Sequence, residues 1–333
     1  MQLSVLDQSP IGAGEDAATA VAHTIALARR CEELGYHRYW LAEHHASQSL
    51  ACASPEILIT RVANETSRIR VGSGGVMLSH YSPFKVAENF RMLEVMYPGR
   101  IDLGVGRAPG SDGVTAAALA YGNRLGVEYY PTKIRDMLAW VSNEKPYSEA
   151  FGELAVSPKS NTVPEVWVLA SSPDSARYAA YFGLPLSYAH FIVPEQAAQV
   201  IQMYRAEFNG EGGRAPRVSL GVFAIANDDP EHVDLLRRAR ELQRIRRDQG
   251  KQGPAATLEE AAEYPFTDAQ LERMRTKRSR QIVGAPDVVR AEITELAQAT
   301  GADEVVVLTN TPLFEDRMKS YELLAAEFGL ELS

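Results

Sequence analysis

Residues Tyr39–Ser47 read YWLAEHHAS: a short apolar run that stops at three adjacent ionisable side chains, Glu43, His44 and His45. An apolar run of this length between turn signals reads as a buried strand. Its flanks complete the unit. Upstream, DAATAVAHTIALARRCEELG has helical spacing, with Val21, Ile25 and Ala28 on one face and Gly35 as its stop. Downstream, SPEILITRVANETS opens a helix with Ser54 as N-cap and Pro55 at its first position. The stretch is therefore the strand of a βα repeat, and polar chemistry stands at its carboxyl end.

The same unit recurs along the chain. LSVL precedes the first helix. IRVGSGGVML is followed by a helix with a second Ser-Pro start, Ser82-Pro83, that ends before Gly99. RIDLGVG, EVWVLA, PLSYAHFIV, RVSLGVFAIA and DEVVVLTN supply the remaining strands. Repeated βα units pair in parallel, because each helix returns the chain to the same end. Eight such units close a TIM (β/α)8 barrel, and we read residues 1–333 as a single barrel of this type. A doubly wound open sheet would carry a G-x-G-x-x-G turn after its first strand, where this chain has DQSPIGAGED. Gly250–Arg280 has Gly, Pro and charges without strand pattern and is read as an insertion; a mobile lid and a helical excursion without a role both remain open.

Bulk properties narrow the function. The chain has 333 residues, 45% of them hydrophobic, enough for a full core. Its net charge of -9, from 43 acidic and 34 basic residues, argues against nucleic-acid binding. The densest basic stretch, Arg237–Arg247, is interleaved with Leu and Ile and reads as the solvated face of a helix. No apolar run is long enough for a membrane span, and the N-terminus lacks a signal-peptide pattern. Two isolated cysteines, Cys31 and Cys52, suggest neither a disulfide framework nor a zinc site, so a cytoplasmic location is expected.

In a barrel of this kind the site lies at the carboxyl ends of the strands. Polar or permissive residues gather there. After the second strand stand Glu43, His44 and His45; within the third lie Gly74 and Gly75; after the fourth comes Arg107. After the fifth come Ala170, Ser171, Ser172 and Ser175, and the sixth ends near His190. Adjacent side chains on an extended segment point to opposite sides, so His44 and His45 are poorly placed to share a metal ion. An acid/base or hydrogen-bonding role is easier to defend. ASSPDSA places hydroxyls and free N–H groups at a helix start, a natural phosphate seat, although capping alone accounts for one serine. Arg107 is placed to assist there or to pair with Asp112, and Gly74-Gly75 either admits a flat ring or forms a β-bulge.

These motifs resemble the bacterial luciferase-like flavin monooxygenases over nearly the whole chain, in their single-chain alkanal monooxygenase-like group. The resemblance rests on ARRCEELGYHRYWLAEHH, VGSGGVMLSHYSPFKVAENFRMLEVMYPGRIDLGVGRAPGSD and LASSPDSARYAAYFGLP. It implies a barrel that binds reduced FMN (FMNH2) at its carboxyl face. It implies catalytic roles for His44, flanked by His45 and Glu43, and a non-proline cis peptide at Gly74-Gly75 beneath the flavin. It further implies phosphate contacts from Ser172, Ser175 and Arg107, with Ala170 and Ser171 beside them, and a pocket-lining position for His190. Two positions depart from the family pattern: Gly106 stands where the luciferase subunit has a reactive cysteine, and Ser171 where it has a glutamate. A second phosphate arginine of the family has no aligned counterpart here, although Arg124 is nearby.

The implied chemistry is oxidation of an aldehyde or another small organic substrate by O2 through a C4a-hydroperoxyflavin. No nicotinamide motif is evident, so a separate NAD(P)H-flavin reductase is expected to supply reduced flavin, and the family habit implies a homodimer. The alternatives are an F420-dependent hydride-transfer enzyme of the same superfamily and a flavin-binding protein without catalysis.

Overall fold

The computed structural model describes residues 1–108, 112–121, 128–251, 253–276 and 280–331. Its first strands, β1 (Gln2–Asp7), β2 (Arg38–Leu41), β3 (Arg70–Met77) and β4 (Ile101–Gly106), pair in parallel in chain order. β5 (Glu165–Ala170), β6 (Leu186–Ala189) and β7 (Val218–Ala226) continue the series. A short β8 (Ile282–Gly284) pairs with the far end of β7, and β9 (Glu304–Leu308) joins β7 to β1 and closes the ring. The barrel is thus built by the strands anticipated from sequence. β8, three residues beside an expected insertion, was not anticipated, being too short to show a pattern.

Helices α1 (Ala17–Glu33), α2 (Pro55–Glu65), α3 (Pro83–Met96), α4 (Gly113–Ala120) and α5 (Tyr130–Val141) follow the first four strands. α6 (Pro173–Tyr181) and α7 (Ala197–Glu207) follow β5 and β6. Pro at the first helical position starts α2, α3 and α6. Ser82 caps α3 through the Lys85 N–H, whereas Ser54 holds the N-cap position of α2 without a side-chain bond. Gly35, with φ +84°, turns the chain after α1.

Between β7 and α11 (Pro286–Thr300) the chain makes its longest excursion: α8 (Pro230–Asp248), α9 (Leu258–Glu263), α10 (Asp268–Thr276) and β8. Ala256 and Ala261 bury against Ala239 and Leu242 of α8, so the middle of the Gly250–Arg280 segment packs on that helix. α12 (Phe314–Phe328) completes the outer layer.

Inside the barrel, side chains from alternate positions fill two distinct levels. At the amino end, Arg38 bonds Asp102 Oδ2 and Glu304 Oε1, each at 2.8 Å, and reaches Glu165 at 3.2 Å. Above it Trp40 and Trp167 meet edge-on at 5.4 Å, with Leu6, Phe223 and Val306 around them. The glycines of β3 and β4 make room for them: a Cβ at Gly74 would meet Leu6 Cδ1 at 2.5 Å and Trp40 Cβ at 3.1 Å. With the amino end plugged by this ion network and the middle filled, the open end is the carboxyl one.

Candidate active site

A cavity of about 640 Å3 opens at that end, a volume in the range of small-molecule sites. Its floor is formed by Leu6, Trp40, Leu169 and Val306 from inside the barrel. Gly74 and Gly75 form part of its wall, joined by a cis peptide bond. The pairing of β3 with β4 also shifts register between Ser73 and Val76. A Cβ at Gly75 would meet Gly104 O at 2.6 Å, so only glycine fits against the next strand.

The three ionisable residues after β2 divide by side. Glu43 is buried and fully engaged: Oε2 accepts from Met77 N at 3.0 Å, and Oε1 accepts from Tyr81 Oη at 2.7 Å. His45 Nε2 joins the same Oε1 at 2.6 Å and lies 3.2 Å from Tyr81 Oη. Burial and the bond to Glu43 push the Tyr81 phenol well above its ordinary range, which keeps it a neutral donor. His44 turns to the cavity instead, with Nδ1 buried and unpartnered. Burial, helped by repulsion from His45, lowers its pKa to about 4, so the imidazole is neutral at physiological pH. Ala46, at φ +51°, turns the chain immediately after this group.

At the opposite rim, Arg107 Nη2 lies 3.4 Å from Ser172 Oγ, and Nη1 lies 3.6 Å from Asp174 Oδ2. Ser172 is the N-cap of α6 yet makes no side-chain cap bond, and its hydroxyl lies 3.5 Å from Ser175 Oγ. A cation, two hydroxyls and the first N–H groups of a helix thus converge on one corner, the physical requirement of an anion seat. Ala170 and Ser171 line the same corner.

The family model for luciferase-like monooxygenases matches residues 1–304. The chain belongs to that family. Bacillus subtilis (strain 168) YwcH is 39% identical over 99% of both chains. From the same organism, N-acetyl-S-alkylcysteine monooxygenase is 33% identical, covering 98% of this chain and 97% of its own. Among solved structures, apo-MsnO8 is 38% identical, with a TM-score of 0.91 and 99% of each chain covered.

For this luciferase-like chain the cavity collects His44, Glu43, Gly74, Gly75, Arg107, Ala170, Ser171, Ser172 and Ser175. His45 stands behind it, bonded to Glu43. His190 is buried and is absent from the lining; the next residues, Phe191 and Ile192, supply the wall there. Arg124 lies outside the described residues. Gly106 lines the cavity with space above it: a Cβ there would find nothing closer than Met77 Sδ at 3.9 Å. Sequence reasoning missed Gln8, Met77 and Phe191. Gln8 follows β1 directly, and the strand-end rule applied to β1 as it was to β2 would have found it. Phe191 is one residue from the position chosen, in the turn after β6, where strand alternation no longer decides which side chain faces the cavity.

Proposed function

We propose that this protein is a flavin-dependent monooxygenase that uses reduced FMN and O2 to oxidise an aldehyde or another small organic substrate. One arrangement carries the reading: an apolar cavity with a glycine wall, an anion seat at one rim and a neutral histidine, without a partner at Nδ1, at another. The residues fit a flavin mononucleotide. A flat ring needs a wall without side chains, which Gly74 and Gly75 provide; a phosphate needs the corner of Arg107, Ser172, Ser175 and the start of α6.

Bound reduced flavin supplies the electrons that activate O2. The chain's own residues supply the setting. His44, neutral and unpaired at Nδ1, holds or accepts a proton at the reacting centre. Glu43 and His45 fix the backbone that carries it and tie it to Met77 of β3. Trp40 and Phe191 give the cavity apolar walls that limit the access of water to the reacting centre. We further propose that a separate NAD(P)H-flavin reductase delivers the flavin and that the Gly250–Arg280 segment serves as lid. The name of the N-acetyl-S-alkylcysteine relative puts thioethers beside aldehydes as substrates to screen. A homodimer through α2 and α3 is supported by the exposed apolar side chains Ile57, Met92, Val95 and Met96. Among the described residues no helix is long and apolar enough to cross a membrane.

The test is an anaerobic titration with FMN, FMNH2 and F420, followed by admission of 18O2 with candidate aldehydes and thioethers. Binding of FMNH2 and label in the product support the reading. Binding of F420 in place of FMN moves the protein to hydride transfer, and flavin binding without labelled product from any substrate leaves a binding protein.

A further inference from the structure

A second cavity, of about 150 Å3, lies between α8 and the loops that follow β1 and β9. Gln8 lines both it and the larger cavity, so the two share a wall. Arg240 and Arg247 of α8 also line it. Seven residues apart, they share one face of the helix. Arg240 departs from the reading of Arg237–Arg247 as the solvated face of a helix. The Arg240 guanidinium stacks over the Phe223 ring at 3.3 Å, and its Nε is buried without a hydrogen-bond partner.

Its neighbours on the helix are neutralised. Arg238 pairs with Asp234, Arg244 with Glu241 and Asp248, and Arg246 with Glu260. Among the described residues no carboxylate pairs with Arg240 or Arg247, and the remaining residues contain no Asp or Glu. Burial and the charge of Arg247 lower the Arg240 pKa to about 9, which still leaves it protonated at neutral pH. A partly buried cation with no anion beside it is costly even when stacked on a ring, and an anionic ligand relieves that cost.

We propose that Arg240 is the carboxylate-recognition residue of the substrate site, so that the substrate is a small organic acid. Its carboxylate sits at Arg240, and its oxidisable group passes Gln8 into the cavity where His44 stands. The inference rests on reading that larger cavity as the flavin and reaction site. With its face on Phe223, the guanidinium offers its edge, the geometry that matches a planar carboxylate. A phosphate already has its seat at Arg107, on the far side of the flavin cavity. Asn310 donates from Nδ2 to Gln8 Oε1 at 2.7 Å, while its Oδ1 is buried and unpartnered. That oxygen suits an N–H beside the carboxylate, as in an N-acyl amino acid.

The test is calorimetric titration of the full chain, with and without saturating FMN, using hexanoate, hexanamide and inorganic phosphate. No turnover is required. Hexanoate is expected to bind at least tenfold more tightly than hexanamide. Arg240→Met should abolish that preference while FMN affinity stays within twofold. Should Arg240→Met fail to fold, Arg240→Lys, which keeps the charge but loses the fork, should weaken hexanoate severalfold. Equal affinities overturn the proposal, as does no binding of any straight-chain acid from acetate to decanoate. A preference that survives Arg240→Met, or phosphate binding as tightly as hexanoate, also overturns it. Carboxylate preference in a protein that binds no FMN overturns the flavin reading and leaves the acid subsite standing.

Discussion

His45 Nε2 stands 2.6 Å from Glu43 Oε1, and His44, between them in sequence, faces the other way into the cavity. Alternation along extended backbone explains the division. It aims His44 into the cavity and turns His45 away to Glu43, which both lines the cavity and supports it. Glu43 carries most of that support, because it also accepts from Met77 N and Tyr81 Oη. Glu43→Ala orphans those partly buried donors. We expect a loss of about 2–4 kcal/mol, at roughly 1–3 kcal/mol per unsatisfied group, measured by urea denaturation. Glu43→Gln, which keeps an acceptor, should lose less. Equal stability of Glu43→Ala and wild type would remove the supporting role.

His44 links stability to pH. Its pKa in the fold is about 4 against an ordinary 6.5, so as pH falls the unfolded chain takes up the proton first. Stability is therefore complete above about pH 6.5 and declines as pH falls towards 4, with a slope approaching ~1.4 kcal/mol per pH unit from this group. His44→Asn should flatten the slope across that window and leave stability at pH 8 within about 1 kcal/mol. His37 and His190, also lowered by burial, contribute in both proteins and cancel in the difference. In turnover assays, His44→Ala is expected to fall by roughly 10²–10⁴-fold with oxygenation substrates. An unchanged rate would take the proton-handling role from His44.

Arg107 separates the two halves of the proposed cofactor. It stands beside Ser172, whose hydroxyl lies near Ser175, and beside Asp174, so its charge is expected to act chiefly on the phosphate. Wild type should bind FMN at least about tenfold more tightly than riboflavin, in keeping with a charge-assisted contact of ~1.5–3 kcal/mol. Arg107→Ala should erase most of that difference while riboflavin affinity holds. Fluorescence quenching titrations measure both. Parallel loss of FMN and riboflavin binding would show that Arg107 shapes the cavity rather than seating a phosphate.

The barrel was legible because its signals are local and repeated: apolar strands, Ser-Pro helix starts, glycine stops. The carboxyl-end rule then picked out Glu43, His44, Gly74, Gly75, Arg107 and the serines before α6, and one cavity collects them all. What remained hidden depends on how elements cross. Arg240 looks like any other arginine in RRARELQRIRR; only the path of α8 over Phe223 shows that it lacks an acid. The structure places Phe191 rather than His190 in the lining, because a strand end fixes the neighbourhood but not which side chain turns inward. Arg38 was not singled out either. A lone arginine before YWLA gives no sign of the acids that other strands bring to it.

That arginine offers the last test. Arg38 is 2% exposed, and three carboxylates from β4, β5 and β9 converge on it while its guanidinium stacks 4.8 Å from the Trp167 ring. Asp102 keeps a second partner in Arg70, at 2.5 Å, but among the described residues Glu304 would be left with only Ser4. Arg38→Met therefore strands a buried negative charge, and breaking such a pair on one side costs about 3–5 kcal/mol. Adding Glu304→Gln removes the stranded charge, so the double variant should be more stable than Arg38→Met alone. Denaturant midpoints of the wild type, both single variants and the double variant complete the cycle. Because the network lies at the amino end of the barrel and the cavity at the other, FMN affinity should stay unchanged wherever the variants are folded. A double variant no more stable than Arg38→Met would mean that Glu304 finds another partner, and that this plug is not what holds the closed end of the barrel.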